Sequence, residues 1–324
     1  SFSLVLCSSL ALMTAACPGK GPATPPTPPG GATGNPMMPP APGGPQFGAV
    51  DQTPEGAPQM NAQAAAFYQQ GMMHWANGDL EAAKASFLQA TQADGQAYQA
   101  YYSLGAVQQR LGDAAAASSF KKAFEIVPEY ERAMIAYGQL LAKRGKLSDA
   151  DEFFREKRSK RSKSAPLAAA HAEVKSLRED TAGAQELART ALKLDPTHAP
   201  AMMVIARDHY RNRRLDLSLY ALKAILDGFG PDNPARDPDN AEAHLLRGNI
   251  FAEQELRARA MESYQKALDL RPDLVGARVK LANYMLQAGS AEEALPLLQK
   301  AMQYDANNVD IRLGIRVESG DAEA

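Results

Sequence analysis

The sequence predicts an all-α fold built from about seven stacked helix pairs. Two observations carry this. Apolar and small residues recur at helical spacing, with no alternating strand pattern. A set of small and aromatic residues also returns in phase: Gly71 and Gly105 stand 34 residues apart, as do Ala267 and Ala301. A helix pair with one apolar face cannot bury that face alone, so such copies must stack.

The stretch Ala241 to Leu274 shows the unit most clearly. Small residues stand where two helices must touch: Gly248 in the first helix, Ala260 and Ala267 in the second. Tyr264 is the large residue that fills the gap, and Pro272 stops the second helix. From the N-terminal side, the first unit starts near Ala64 with Gly71, Gly78, Ala83, Phe87 and Ala90 in register. The second starts near Tyr98, with Gly105, Gly112, Ala116, Phe120, Ala123 and Pro128. The third starts near Glu131, with Gly138, Gly145, Ala150 and Phe154, and Lys157 breaks its small-residue rule. The fourth, from about Ala165, keeps Ala184, Ala191 and Pro196 but lacks the aromatic. The fifth, from about Ala199, is the most degenerate, with Tyr220 and Ala224 as its expected anchors. The sixth is the opening stretch at Ala241, and the seventh runs from Val275 with Ala282, Gly289, Ala294 and Ala301. Asp79 and Asp113 are expected to cap second helices, and Ser290 with Glu293 reads as a capping box. Pro296 is expected to kink or delay its helix. Val309 to Val317 reads as a last helix covering the end of the stack.

At these residues the chain resembles the tetratricopeptide repeat (TPR) family, from roughly Ala64 to Val317. The resemblance implies an α-solenoid, a right-handed coil of antiparallel helix pairs with a concave inner face. Fold alone does not assign a job.

Three segments follow: 1–16, 17–63 and 64–324. Phe2 to Ala16 is too short for a resident transmembrane helix and reads as the core and cleavage zone of a secretory signal. No Met and no basic region precede it, so the chain as read is expected to lack its first few residues. Thr14-Ala15-Ala16-Cys17 resembles a bacterial lipobox, which implies lipidation of Cys17. The chain has 2 Cys, and Cys7 would leave with the signal, so Cys17 would form no internal disulfide. The alternative is an ordinary signal with an incidental Cys. Pro18 follows the lipobox where an inner-membrane retention signal would carry Asp, which favours the outer membrane. Pro18 to Met60 is rich in Pro, Gly and Ala with few charges, so it builds no core and reads as a disordered tether. A Pro-rich tract also has the character of a ligand for aromatic grooves.

Composition excludes several classes. The formal net charge is −2, which gives a nucleic-acid partner no electrostatic footprint over the chain as a whole. The basic run Arg155 to Lys163 reads either as a site for an anionic partner or as a solvated helix end. The loop Gly228 to Asn240 reads either as a functional insertion or as a spacer. The 5 His form no HExxH pair and sit beside no Cys cluster, so no metal site and no cofactor are expected. There is no phosphate loop and no G-x-S-x-G elbow, and no acid/base pair is evident. No catalytic residue and no small-molecule substrate follow; the chain is not expected to be an enzyme.

The family lines its groove with the first helix of each unit. By register this implies Tyr68, Met72, Trp75, Tyr102, Gln109, Arg110, Arg132, Ile135 and Gln139 as the partner groove of the first three units. Tyr, Trp, Met and Arg are types that interface hot spots favour. Trp75 and Tyr68 have a second reading, packing against the start of the tether or capping the first unit. The chain also resembles TPR lipoproteins that pilot secretins of type IV pili and those of myxobacterial gliding machinery. The expectation is a lipid-anchored scaffold on the periplasmic face of the outer membrane. Its expected partners are envelope proteins: secretin, motility-complex or cell-wall hydrolase subunits. An arm for a cell-wall enzyme and a purely structural spacer are the rival readings.

Overall fold

The computed structural model describes residues 54 and 56–304. The signal segment, Cys17, most of the tether and the expected last helix at 309–317 lie outside the described residues.

Among the described residues, fourteen α-helices follow one another in seven pairs. They are α1 (Ala62–Ala76) with α2 (Leu80–Ala93), α3 (Tyr98–Arg110) with α4 (Ala116–Ile126), and α5 (Glu131–Lys143) with α6 (Leu147–Lys160). Then come α7 (Ala165–Leu177) with α8 (Thr181–Leu194), α9 (Ala199–Arg211) with α10 (Leu215–Leu226), α11 (Ala241–Glu253) with α12 (Arg257–Leu270), and α13 (Val275–Gln287) with α14 (Ala291–Tyr304). The expected starts of all seven units agree with the first helices. The expected loop after α10 holds a small antiparallel hairpin, β1 (Gly228–Gly230) and β2 (Asn233–Pro234). Backbone bonds from Arg236 N to Ala224 O (3.2 Å) and Asp237 N to Ile225 O (2.8 Å) fasten it to the end of α10.

Within a pair, one contact recurs. A Cβ placed on Gly71 would lie 2.6 Å from the Phe87 ring, on Gly105 2.7 Å from Phe120, and on Gly248 2.6 Å from Tyr264. Gly138 and Phe154 repeat the arrangement. An aromatic ring of the second helix thus lies against bare backbone of the first. Flanking alanines let the helices close on it: Ala83 and Ala90, Ala116 and Ala123, Ala260 and Ala267 are all fully buried.

This register corrects the reading of the fifth pair. Counting along α10 as along α2 and α12, the interlocking positions are Ser218, Leu222 and Ile225, all fully buried. Tyr220, expected as an anchor, is 65% exposed. It falls two residues short of the ring position, and a helix turns that far only onto its other face. Lys157, which breaks the small-residue rule in α6, lays its ammonium over the rings of Phe124 (5.5 Å) and Phe153 (5.2 Å). Pro296 lies inside α14, which still begins at Ala291 and runs on to Tyr304. Asp79 caps α2 through Ala82 N at 3.2 Å; Asp113 instead caps the turn before α4, through Ala115 N at 2.9 Å.

Each turn inside a pair uses one left-handed residue: Gly78, Gly112, Gly145, Glu179, Arg213, Glu255 and Gly289. Such a residue ends a helix and lets the chain reverse at once. Between pairs, the first helices α5, α7 and α9 touch one another directly, while successive second helices make no comparable contact among the described residues. The stack therefore bends with its first helices on the inner side. The sequence of α7, APLAAAHAEVKSL, permits this: Ala165, Ala168, Ala169 and Ala170 are all buried, and such short side chains let neighbours approach closely.

Gly105→Ala tests the interlock. Alanine favours helix by about 1 kcal/mol over glycine, but overpacking a filled core costs about 1–3 kcal/mol. Thermal or urea unfolding is expected to show a net loss of up to about 2 kcal/mol, shrinking by half or more in a Phe120→Leu background.

Candidate functional site

The inner face of the stack is the candidate site, and its two halves differ. In the first three pairs it is aromatic and apolar. Tyr68 rests 5.6 Å from the Phe87 ring, and its hydroxyl accepts from Ser103 at 3.5 Å. Tyr102 packs on Phe120 (5.7 Å) and edge-on to Tyr130 (5.4 Å). Trp75 is 1% exposed and belongs to the same cluster as Met72, Tyr98 and Phe120, against which Ala57 also packs. The guanidinium of Arg110 covers the Trp75 ring at 5.6 Å.

From the third pair onward the inner face is a ladder of charges. Gln139 Nε2 donates to Glu173 at 3.1 Å. Arg207 donates to Glu173 at 3.4 Å and also to Glu242. Arg271 donates to Glu242 at 3.2 Å. Gln139, Glu173 and Arg207 occupy one position on α5, α7 and α9, spaced 34 residues apart, so the repeat itself lines them up. Burial pushes the Glu242 carboxyl up, but Arg207, Arg271 and Lys143 outweigh it and hold it below the ordinary range. Arg110 of α3 lies 3.8 Å from Asp273, in the turn before α13, so the two halves meet across the inner face. Tyr210 donates to Glu253 at 2.6 Å; burial first, then that bond, pushes its hydroxyl up to about 12.

Tetratricopeptide repeat family models match residues 64–96, 167–234 and 235–275. The chain is a tetratricopeptide repeat protein. Among solved structures, a tetratricopeptide repeat protein from Parabacteroides merdae is 15% identical, with a TM-score of 0.54 over 80% of this chain and 100% of its own. Yeast Tom70 is 14% identical, with a TM-score of 0.54 over 82% of this chain and 65% of its own. PilF of Pseudomonas aeruginosa is 19% identical, with a TM-score of 0.46 over 68% of this chain and 97% of its own. At these identities the likeness shows the TPR fold alone, and at the PilF score it carries no argument. A search of curated protein sequences finds no match.

The nine expected groove residues divide by burial. Met72, Trp75 and Tyr102 are buried, so they stand in the packing between TPR helices and offer no open surface in this conformation. A Trp75→Ala substitution would therefore remove core, at a cost of about 3–5 kcal/mol, and would not report on binding. Tyr68, Gln109, Arg110, Arg132, Ile135 and Gln139 are partly exposed. The basic run is largely taken up internally: Arg155 pairs with Glu152, Lys160 with Glu156, and Arg161 donates to Pro128 O.

One constellation escaped the sequence reading. Asp151 of α6 and His171 of α7, both buried, meet at 2.8 Å between Oδ1 and Nε2. Nδ1 faces Arg158 at 3.4 Å, and the ring stacks on Phe154 at 6.0 Å. Asp151 also accepts from Arg178 at 2.5 Å and from Lys175 at 3.4 Å. Both imidazole nitrogens are engaged, so the group ties two helices together. Among the described residues no group of three or more His, Cys, Asp or Glu is placed to hold a metal, and no helix is long and apolar enough to cross a membrane.

Burial holds His171 below the usual imidazole range, against the opposing pull of Asp151. Burial likewise lowers His198, His209 and His244. A depressed folded value means stability is complete above the unfolded value of about 6.5 and is lost as pH falls through it. Melting temperature is expected to fall between about pH 7.5 and 5.5, and His171→Gln, though less stable at pH 7.5, is expected to fall less steeply. A flat wild-type profile would contradict the assignment.

Proposed function

We propose that this TPR protein is a lipid-anchored scaffold on the periplasmic face of the outer membrane. It grips a segment of an envelope protein, such as a secretin, motility-complex or cell-wall hydrolase subunit, and helps assemble or hold the machine to which that partner belongs. TPR solenoids are protein-interaction scaffolds, and the role is binding without chemistry. The observation that carries the reading is the inner face of the first three pairs, where Tyr68, Gln109, Arg132, Ile135 and Gln139 remain partly exposed on helices fixed from behind by the buried cluster. Rigidly held tyrosine, arginine and aliphatic side chains lose little entropy on contact with a partner.

The anchor rests on the sequence Thr14-Ala15-Ala16-Cys17 and on the Pro- and Gly-rich stretch after it. A lipid and a tether raise the local concentration of the module near membrane partners. One acyl chain alone binds membranes weakly, so stable anchoring needs the multiple chains that a lipoprotein cysteine carries.

Two measurements test the reading. Gln109→Ala with Arg132→Ala removes two partly exposed side chains that belong to no buried cluster, and is expected to weaken capture of the partner from native envelopes at least tenfold, about 1.4 kcal/mol. Unchanged capture by the folded double variant would refute the inner face as the site. Cys17→Ser is expected to move the protein from the membrane fraction to the soluble periplasm on fractionation. Continued flotation with membranes would refute the lipid anchor.

A further inference from the structure

Each second helix turns the residue just after the interlocking position to solvent. In the second to fifth pairs that residue is a cation every time: Lys121 after Phe120, Arg155 after Phe154, Arg189 after Ala188 and Lys223 after Leu222. The four stand 34 residues apart and all are exposed. The repeat therefore sets them in a row across α4, α6, α8 and α10, on the outer side of the stack. The row has ends, for the same position holds Leu88 in α2, Gln265 in α12 and Gln299 in α14.

Further cations thicken the row at its middle. Lys160 and Lys163 follow Arg155 along the exposed side of α6 and the loop after it, and Lys193 follows Arg189 by one turn of α8. Arg158 of α6 lies near enough to α8 to feel the charge of Glu186, so the two helix ends form one basic rim. Little of this charge is cancelled. Lys121 stands 3.7 Å from Glu125 and Arg155 3.7 Å from Glu152, with all four side chains at least half exposed, and water screens such pairs. Arg189 donates to the neutral Gln185 at 3.2 Å, and Lys223 lies 5.3 Å from the Phe229 ring. Arg158 and Arg161 are bonded to an imidazole and a carbonyl, which leave their charge in place. From Glu152 to Lys163 there are six cations against two carboxylates, in a chain whose formal net charge is −2.

We propose that this row docks the outer side of the stack on a bilayer of anionic phospholipid. Clusters of four to eight Lys and Arg attract anionic headgroups, and the rim of α6 and α8 is such a cluster. The chemistry suits a bilayer better than an acidic protein. From α4 to α8 no aromatic side chain is exposed, and lysine is depleted at the centre of protein interfaces, so the rim offers no hot spot to a protein partner. The cations also stand on separate helices at the ends of long stems. A fluid headgroup layer brings a phosphate to each of them whatever their spacing, whereas a rigid protein must match them one by one. The inference rests on the anchored-scaffold reading for the presence of a bilayer, but the attraction itself needs no lipid on the chain. Its consequence is orientation: with the outer side against the bilayer, the inner face is turned away from it, toward a partner.

The test uses the full chain with Cys17→Ser, so that no attached lipid contributes, and measures sedimentation with vesicles. The probes are phosphatidylethanolamine vesicles in which about a quarter of the lipid is phosphatidylglycerol, and the same vesicles with phosphatidylcholine in its place. At about 0.1 M salt the chain is expected to bind the anionic vesicles at least about tenfold more tightly, and to be released at about 0.5 M. Arg155→Gln with Arg189→Gln is expected to weaken that binding about tenfold or more. Lys266→Gln with Lys300→Gln removes the same charge from exposed positions on α12 and α14, beyond the row, and is expected to change it less than about twofold. Circular dichroism is expected to stay unchanged in both variants. No preference for the anionic vesicles overturns the proposal. Equal losses from the two double variants also overturn it, because net charge alone would then set the attraction. Retention on immobilised polyglutamate without binding to either vesicle overturns the bilayer and gives the row to an acidic protein.

Discussion

The structure depends on one steric constraint, the contact between a glycine of the first helix and a ring of the second. At Gly71, Gly105, Gly138 and Gly248 no side chain separates backbone from aromatic face, and a single added carbon would collide. That closeness sets the distance between the helices of a pair. The left-handed residue at every internal turn sets their antiparallel return. Where glycine is replaced, by Ala172 in α7 or Ala206 in α9, the partner position shrinks to Ala188 or changes to Leu222, and all four are fully buried. A larger residue on the first helix is met by a smaller one on the second.

Curvature follows from the same economy of size. The alanine-rich α7 lets α5 and α9 lie against it, so the first helices crowd together while the second helices spread. The crowded side becomes a lining on which one position recurs every 34 residues. Polar residues placed there meet their counterparts in the next unit, and Gln139, Glu173, Arg207 and Glu242 form a ladder by repetition alone. Pairs at this exposure are screened by water and add little stability each. Their effect is on what a partner meets: a charged, self-satisfied inner wall in the later pairs, and in the first three a partly exposed set that includes Tyr68, Gln109, Arg132 and Ile135.

Much of this was legible in the sequence, because the repeat itself carries the information. The seven units and the glycine–aromatic partners all follow from spacing. In the fifth pair Tyr220 is aromatic but out of register; counting from Arg214 places Leu222 in the slot. For Trp75 the sequence left two readings open, groove lining and packing at the first unit, and its burial in the cluster against which Ala57 packs agrees with the second. The Asp151–His171 contact was out of reach. It joins residues 20 apart on two helices, and no motif encodes their mutual rotation. The contact of Tyr220 with Phe229 depends on the hairpin after α10, which no repeat position encodes.

The most direct test of the account is site-specific photo-crosslinking in native envelopes. The crosslinker is placed either at Gln109, on the inner side of the second pair, or at Glu186, on the exposed side of α8. The account predicts a discrete protein adduct from Gln109 and none from Glu186. Adducts from Glu186 alone, or equal yields from both, would contradict it and assign recognition to the outer surface of the stack.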